Sequence, residues 1–174
     1  MKRVFYMIAT FFGVGYCPVA SGTAGSLATL PFAFLLTFYG GFFAMLAFFV
    51  LVYVLGTIAS KEVLKYTVSR DPSIVVIDEV AGQLIPLLFF SFMFLFTDKP
   101  SPSQWWLYIA LPSFVLFRIF DIVKPFPASY FDKKMPNAHG IMLDDIAAGI
   151  YALLVMILLS KFTQIPIAFA NSAM

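Results

Sequence analysis

The sequence predicts an all-α fold: a compact, membrane-embedded helical bundle of about four to five short apolar helices, with its motif loops on the cytoplasmic side. Three observations predict it. Hydrophobic residues make up 61% of the 174 residues and charged residues only 11%, with a mean hydropathy of +0.94. Soluble domains carry roughly 25% charged residues, so lipid must act as solvent for part of this chain. The apolar residues fall into long charge-free runs. The charged residues gather into a few short motifs between those runs. The whole chain, 1–174, reads as one domain.

Met1-Lys2-Arg3 followed by residues 4–14 has the basic start and short apolar stretch of a secretory signal. No small-residue cleavage site follows at the right distance, so an interfacial or buried first helix is expected. Residues 27–59 carry no charge. As one helix they would reach about 50 Å, well beyond a hydrocarbon core of about 30 Å. Two segments turning at Gly40-Gly41 are expected, the first short, interrupted by Pro31 and entering only part-way. Residues 80–97 form the next apolar segment. Residues 98–102, Asp-Lys-Pro-Ser-Pro, read as a loop. Trp105-Trp106 open the fourth segment as an interfacial aromatic anchor, and its helix ends at Lys124-Pro125, because proline pushes its predecessor out of the α region. The last segment is 146–160. The segments read as 13 to 18 residues long.

With five crossings, residues 1–26, 60–79 and 118–145 share one side. That side holds Lys2, Arg3, Lys61, Lys65, Arg70, Arg118, Lys124, Lys133 and Lys134, against Lys99 and Lys161 on the other. Basic residues concentrate in cytoplasmic loops, so the first side is cytoplasmic. Eight of the nine carboxylates lie there too, Asp98 being the exception. The net charge of +2 and the lack of basic runs interleaved with aromatics argue against nucleic acid as a partner. The single cysteine, Cys17, excludes an intrachain disulfide.

Four motifs carry chemistry. Gly22-Thr23-Ala24-Gly25-Ser26 precedes a helix; glycines let backbone approach an anion, a helix start offers free N–H groups, and Thr23 and Ser26 add hydroxyls. An ordinary turn with Ser26 as N-cap would read the same way. Asp78-Glu79 opens an apolar helix, and Gly82, at i+4 from Asp78, would let another helix come close beneath it. Arg118, Asp121 and Lys124, spaced by three, share one helix face; they suit a phosphate beside a metal, or a local ion pair with snorkelling stems. Asp144-Asp145 opens the last helix above Ala148, Ala152 and Gly149. Five carboxylates on one side need a counter-ion, and magnesium typically joins a few carboxylates to a substrate phosphate.

Several phosphatase chemistries are excluded. The residue six positions after Cys17 is Thr23, where a cysteine phosphatase needs arginine. His139 is the only histidine, and no Asp-x-Asp pair exists. Zinc would lack its ligands. What remains is carboxylate-bound magnesium with a metal-activated water. A transporter would place ionisable groups near the bilayer midplane rather than at segment ends. A CDP-alcohol phosphotransferase would need a long Asp-Gly-Ala-Arg motif that is missing.

The same motifs, in this order, resemble bacterial phosphatidylglycerophosphatase A. The matching text is residues 18–26, residues 73–79 with Gly82, residues 117–127 (Phe-Arg-Ile-Phe-Asp-Ile-Val-Lys-Pro-Phe-Pro) and residues 140–149. Ser21 stands where that family commonly has proline, and His139 where a small residue is common. The resemblance implies an enzyme of the bacterial cytoplasmic (inner) membrane. It would remove the terminal phosphate of phosphatidylglycerophosphate, its phospholipid substrate, with magnesium required. On this reading Asp78, Glu79, Asp144 and Asp145 hold the metal, and Asp121 joins them or orients Arg118. Gly22, Thr23, Gly25, Ser26, Arg118 and Lys124 bind the phosphate, and one of the five carboxylates serves as base.

Overall fold

In lipid every backbone group must find its partner within the chain, which leaves helices as the economical answer for charge-free runs. The computed structural model describes residues 2–67 and 72–163. Among them the order is α1 (Lys2–Ala9), a 3-10 turn (Val14–Tyr16), α2 (Ser21–Leu35), a wide turn (Leu36–Gly40) and α3 (Gly41–Leu64). Then follow α4 (Ile77–Met93), α5 (Pro102–Trp105) running on into α6 (Leu111–Val123), α7 (Ala128–Lys134) and α8 (Ala138–Thr163). No strand occurs among the described residues.

Three helical runs are long and apolar enough to cross a membrane: Ser21–Leu64, Pro102–Val123 and Ala138–Lys161. The first is folded on itself. Gly41 has φ +71°, a backbone state open to glycine, and Phe32 stacks on Phe48 with ring centroids 6.2 Å apart. A straight helix would hold those two residues about 24 Å apart. The expected turn at Gly40-Gly41 is therefore present, and α2 and α3 form a hairpin. From there the chain alternates direction through α4, α5–α6 and α8. At one end the Lys99 ammonium donates to the Phe38 carbonyl at 3.3 Å, joining two turns. At the other, Ser21 Oγ donates to the Ser73 carbonyl at 2.6 Å and the Val76 N–H to the Ala9 carbonyl at 2.9 Å.

α4 lies at the centre, touching α2, α3, α6 and α8. Its Gln83 is wholly buried and donates to Ser113 Oγ of α6 at 3.1 Å; Ser113 in turn donates to the Ala110 carbonyl. The outer helices expose apolar stripes at helical spacing: Val50, Val54 and Ile58 on α3, Leu111, Val115 and Ile119 on α6, Ile150, Leu154 and Leu158 on α8. Such stripes are stable facing acyl chains. The tightest crossing is between α4 and α8. A Cβ on Gly82 would collide with the Asp145 backbone carbonyl and the Phe117 ring, and one on Gly149 with the Gly82 carbonyl.

Three expectations are corrected. α3 and α8 run to 24 and 26 residues rather than 13 to 18, because their helices continue through polar residues past the apolar runs. α2 already begins at Ser21, so Gly22–Ser26 forms its first turns instead of a preceding loop. Trp105 is buried against Phe34 and Phe38 and is a core residue; only Trp106 keeps substantial exposure. Arg70, counted in the charge map, lies outside the described residues.

Replacing Gly149 by leucine should lower the thermal midpoint of the detergent-solubilised protein by several degrees. Overpacking of this kind costs about 1–3 kcal/mol, worth about 2–4 °C per kcal/mol at this size. An unchanged melting curve would contradict the backbone contact.

Candidate functional site

Four helix ends meet at one end of the bundle and bring the sequence motifs together. Asp78 and Glu79 occupy the first turn of α4. Asp145 lies on α8 where that helix crosses Gly82. Ligand oxygens of Asp78, Glu79 and Asp145 all lie within 4.8 Å of one another. Asp78 and Asp145 are buried and Glu79 nearly so. Glu79 Oε2 is buried and has no hydrogen-bond partner. Buried carboxylates this close repel strongly unless a cation sits among them. An all-oxygen, acid-rich cluster with an unsatisfied oxygen fits a hard divalent cation of the magnesium type.

Arg118 Nη1 stands 2.6 Å from Asp121 Oδ2. That contact is an ion pair without hydrogen-bond alignment, and Arg118 Nε and Nη1 both remain without a hydrogen-bond acceptor. The start of α2 completes the site. A Cβ on Gly22 would lie 3.1 Å from Arg118 Nη1 and closer still to Glu79 Oε1, so only glycine lets these groups meet. Ala20, the residue before the helix, is left-handed and supplies no side-chain cap. The first backbone N–H groups of α2 have no partner within the helix, as at any helix start. Thr23 is half-buried beside them.

The other expected residues are placed differently. Ser26 is fully buried and donates to the Gly22 carbonyl at 2.9 Å, so its hydroxyl serves the helix. Gly25 is closed in by Val76 and admits loop packing. Lys124 is not on the α6 face: it caps that helix in a left-handed conformation (φ 46°), because Pro125 denies it the α region. Its ammonium reaches Asp144 Oδ2 at 2.5 Å and Asp132 Oδ1 at 3.0 Å. Burial opposes that charge, yet the hydrogen bond to Asp144 and the second carboxylate outweigh it and hold the Lys124 pKa above the ordinary lysine value. Asp144, so engaged, lies outside the three-carboxylate group.

Two residues escaped the sequence reading. Asp132 looks like part of a solvated run beside Lys133-Lys134, yet it ties α7 to Lys124. Tyr151 looks like a lipid-facing aromatic, yet its hydroxyl donates to the Phe126 carbonyl at 2.6 Å and fixes the Lys124–Pro127 turn. Nothing in their local pattern marks either one.

A helical bundle with membrane-length apolar runs and an oxygen-donor cluster at one end has the build of a membrane-embedded protein with a candidate metal site. Residues 7–160 match the phosphatidylglycerophosphatase A family, and the chain belongs to it. It is 37% identical over 151 residues to phosphatidylglycerophosphatase A of Haemophilus influenzae, covering 87% of this chain and 85% of that one. It is 32% identical over 151 residues to phosphatidylglycerophosphatase A of Escherichia coli K12, covering 86% and 80%. A Bacteroides thetaiotaomicron protein provisionally named a phosphatidylinositol-3-phosphatase is 36% identical over 165 residues, covering 90% and 95%. No solved structure matches.

Lys124→Met should destabilise the fold by about 1–3 kcal/mol, since it strands a buried carboxylate. In double-mutant cycles read by denaturant unfolding, Lys124 should couple more strongly to Asp144 than to Asp132. The Asp144 side chain is 8% exposed and that of Asp132 33%. Equal coupling would argue that both pairs are solvent-screened surface contacts.

Proposed function

We propose that the chain hydrolyses the terminal phosphate monoester of phosphatidylglycerophosphate, giving phosphatidylglycerol and phosphate. The observation that carries the reading is the convergence of Asp78, Glu79 and Asp145 with Arg118 and the Gly22 end of α2. Family membership and the names of two relatives supply the headgroup. Asp78, Glu79 and Asp145 would hold magnesium. Bound there, the ion would supply Lewis-acid neutralisation of phosphoryl oxygens and a more acidic water.

The chain's own groups supply the rest. Arg118, oriented by Asp121, offers Nε and Nη1 to phosphate oxygens. The first N–H groups of α2 and the Thr23 hydroxyl add donors where negative charge accumulates. A carboxylate of the cluster accepts a proton from the attacking water. The water oxygen forms the new bond to phosphorus, the ester P–O bond breaks, and the departing glycerol oxygen takes up a proton. Asp144 acts at one remove, holding Lys124 and with it the turn that follows α6. Gly25 and Ser26 shape the start of α2.

The site at one end of the bundle favours this reading over a transporter, whose ionisable groups belong near the midplane. The basic excess at that end supports a cytoplasmic-facing site in the inner membrane. The family match over residues 7–160 supports reading 1–174 as one domain. The Bacteroides relative supports a second reading, a different lipid phosphate at the same site.

Phosphate release from the purified protein, with magnesium and with a chelator in its place, separates these readings. Release from phosphatidylglycerophosphate is expected with magnesium and not with the chelator. Asp78→Asn, Asp145→Asn and Arg118→Ala should each lower turnover by about 10²–10³-fold. Faster release from phosphatidylinositol 3-phosphate would favour the second reading, and full activity of both aspartate variants would remove the metal assignment.

A further inference from the structure

Beside α1 lies a structure that the proposed hydrolysis does not use. Three consecutive residues, Phe11 (φ 44°), Phe12 (φ 57°) and Gly13 (φ 95°), are left-handed. For the two phenylalanines this costs roughly 1–2 kcal/mol each, and such strain persists only where the surroundings enforce it. Here the Phe12 N–H donates to the Met7 carbonyl at 2.8 Å and the Gly15 N–H to the Thr10 carbonyl at 2.9 Å. The Gly13 N–H donates to Thr10 Oγ1 at 3.0 Å. The result is a division of aromatics. Phe11 enters the core at 3% exposure, while Phe12 and Tyr16 stay out at 68% and 60%.

Those two rings border a groove of about 460 Å³, whose wall also includes Lys2, Arg3, Tyr6 and Met7. Lys2 rests its ammonium 3.9 Å from the centre of the Tyr66 ring. Neither Lys2 nor Arg3 pairs with a carboxylate among the described residues. Across Phe12 lies a second, smaller cavity of about 90 Å³. Its wall is wholly apolar and includes Ile8, Phe11, Leu51 and Leu55. Leu51 and Leu55 are also on the exposed apolar side of α3. A cationic groove thus adjoins an apolar slot that opens onto a membrane-length helix, with one exposed ring between them.

We propose that this groove and slot bind one anionic phospholipid, distinct from the molecule that is hydrolysed. Its phosphodiester lies against Lys2 and Arg3, and an acyl chain passes Phe12 into the slot beside Leu51. Charge complementarity selects an anionic headgroup; paired aromatics at the membrane boundary suit the glycerol level. The loop carrying Phe12 rests on the segment that leads into α4, through Gly15 against Ile74 and the Ala9–Val76 hydrogen bond. A lipid seated there therefore braces the start of the helix that bears Asp78. The assignment does not depend on the phosphatase reading.

Native mass spectrometry of the full chain in neutral detergent tests it, with dioleoylphosphatidylserine (an anionic lipid without a phosphate monoester) against dioleoylphosphatidylcholine. The native protein should bind the serine lipid more tightly. The Lys2→Ala/Arg3→Ala variant should lose about ten- to thirty-fold in that affinity, the contribution of two interfacial cations. Phe12→Ala should weaken both lipids. Lys133→Ala/Lys134→Ala, which removes two cations from the same end of the bundle, should change little. Equal binding of the two lipids would overturn the proposal. So would an anionic preference that survives Lys2→Ala/Arg3→Ala, or one lost equally in the Lys133/Lys134 variant. Displacement of the lipid by millimolar inorganic phosphate would show a bare anion site and overturn it as well.

Discussion

The backbone contact between α4 and α8 at Gly82 and Gly149 is the constraint on which the rest depends. Between helices in lipid there is little hydrophobic drive, so association rests on close van der Waals approach, which small residues permit. Gly82 receives the Asp145 carbonyl and Gly149 receives the Gly82 carbonyl. That approach carries Asp145 to Asp78 and Glu79. Three acids that close are unstable alone, and the fold answers by running α6 past them. Arg118 comes from α6, Lys124 from the turn behind it, and α2 ends its first turn on Glu79. The positive ends of α2 and α4 point the same way and add partial positive charge.

The two cations of the third motif do different work, and proline is the reason. On an unbroken helix, spacing by three would put Arg118 and Lys124 on one face. Pro125 ends the helix at Val123, Lys124 turns left-handed, and its ammonium swings to Asp144 and Asp132. It becomes a structural clamp joining α6, α7 and α8. Arg118, nearly two turns earlier and still helical, keeps donors unsatisfied. A part-buried guanidinium with open donors beside carboxylates is unfavourable for stability by itself. It is the arrangement that an incoming phosphate would satisfy.

What the sequence made legible follows the same physics. Charge-free runs reveal helices because lipid leaves no other solution, and Gly40-Gly41 reveals a hairpin because no single helix fits the bilayer. Gly82 beneath Asp78 and Gly149 beneath Asp145 mark the close crossing directly, since small residues at i+4 below an acid have few other uses. The fate of Lys124 was half legible: Pro125 announces the helix end but not where the side chain goes afterwards. Asp132 and Tyr151 were hidden, because their partners are 8 and 25 residues away and no periodicity links them. Ser26 misled, because a hydroxyl at a helix start reads alike whether it faces a ligand or its own backbone. Trp105 misled for a related reason: aromatic pairs near segment ends usually sit at the interface, and here Phe34 and Phe38 enclose one of them.

The depth of the site is set by where the motifs fall within their helices, not by loops above them. Asp145 lies seven residues inside the start of α8 and Arg118 five residues before the end of α6, so each is recessed about 7–10 Å from its helix end. α2, by contrast, presents its very first turn at the same level. Its 15 residues continue directly into the five helical residues Leu36–Gly40, and together they approach the ~20 residues that a hydrocarbon core of about 30 Å requires. The acid on α8 and the arginine on α6 thus meet the first turn of α2 short of the ends of their own helices. A phosphate monoester on a lipid headgroup stands only a few bonds outside the acyl chains. Groups recessed by about one to two helical turns lie near that level, and the exposed apolar stripes of α3, α6 and α8 suit contact with acyl chains.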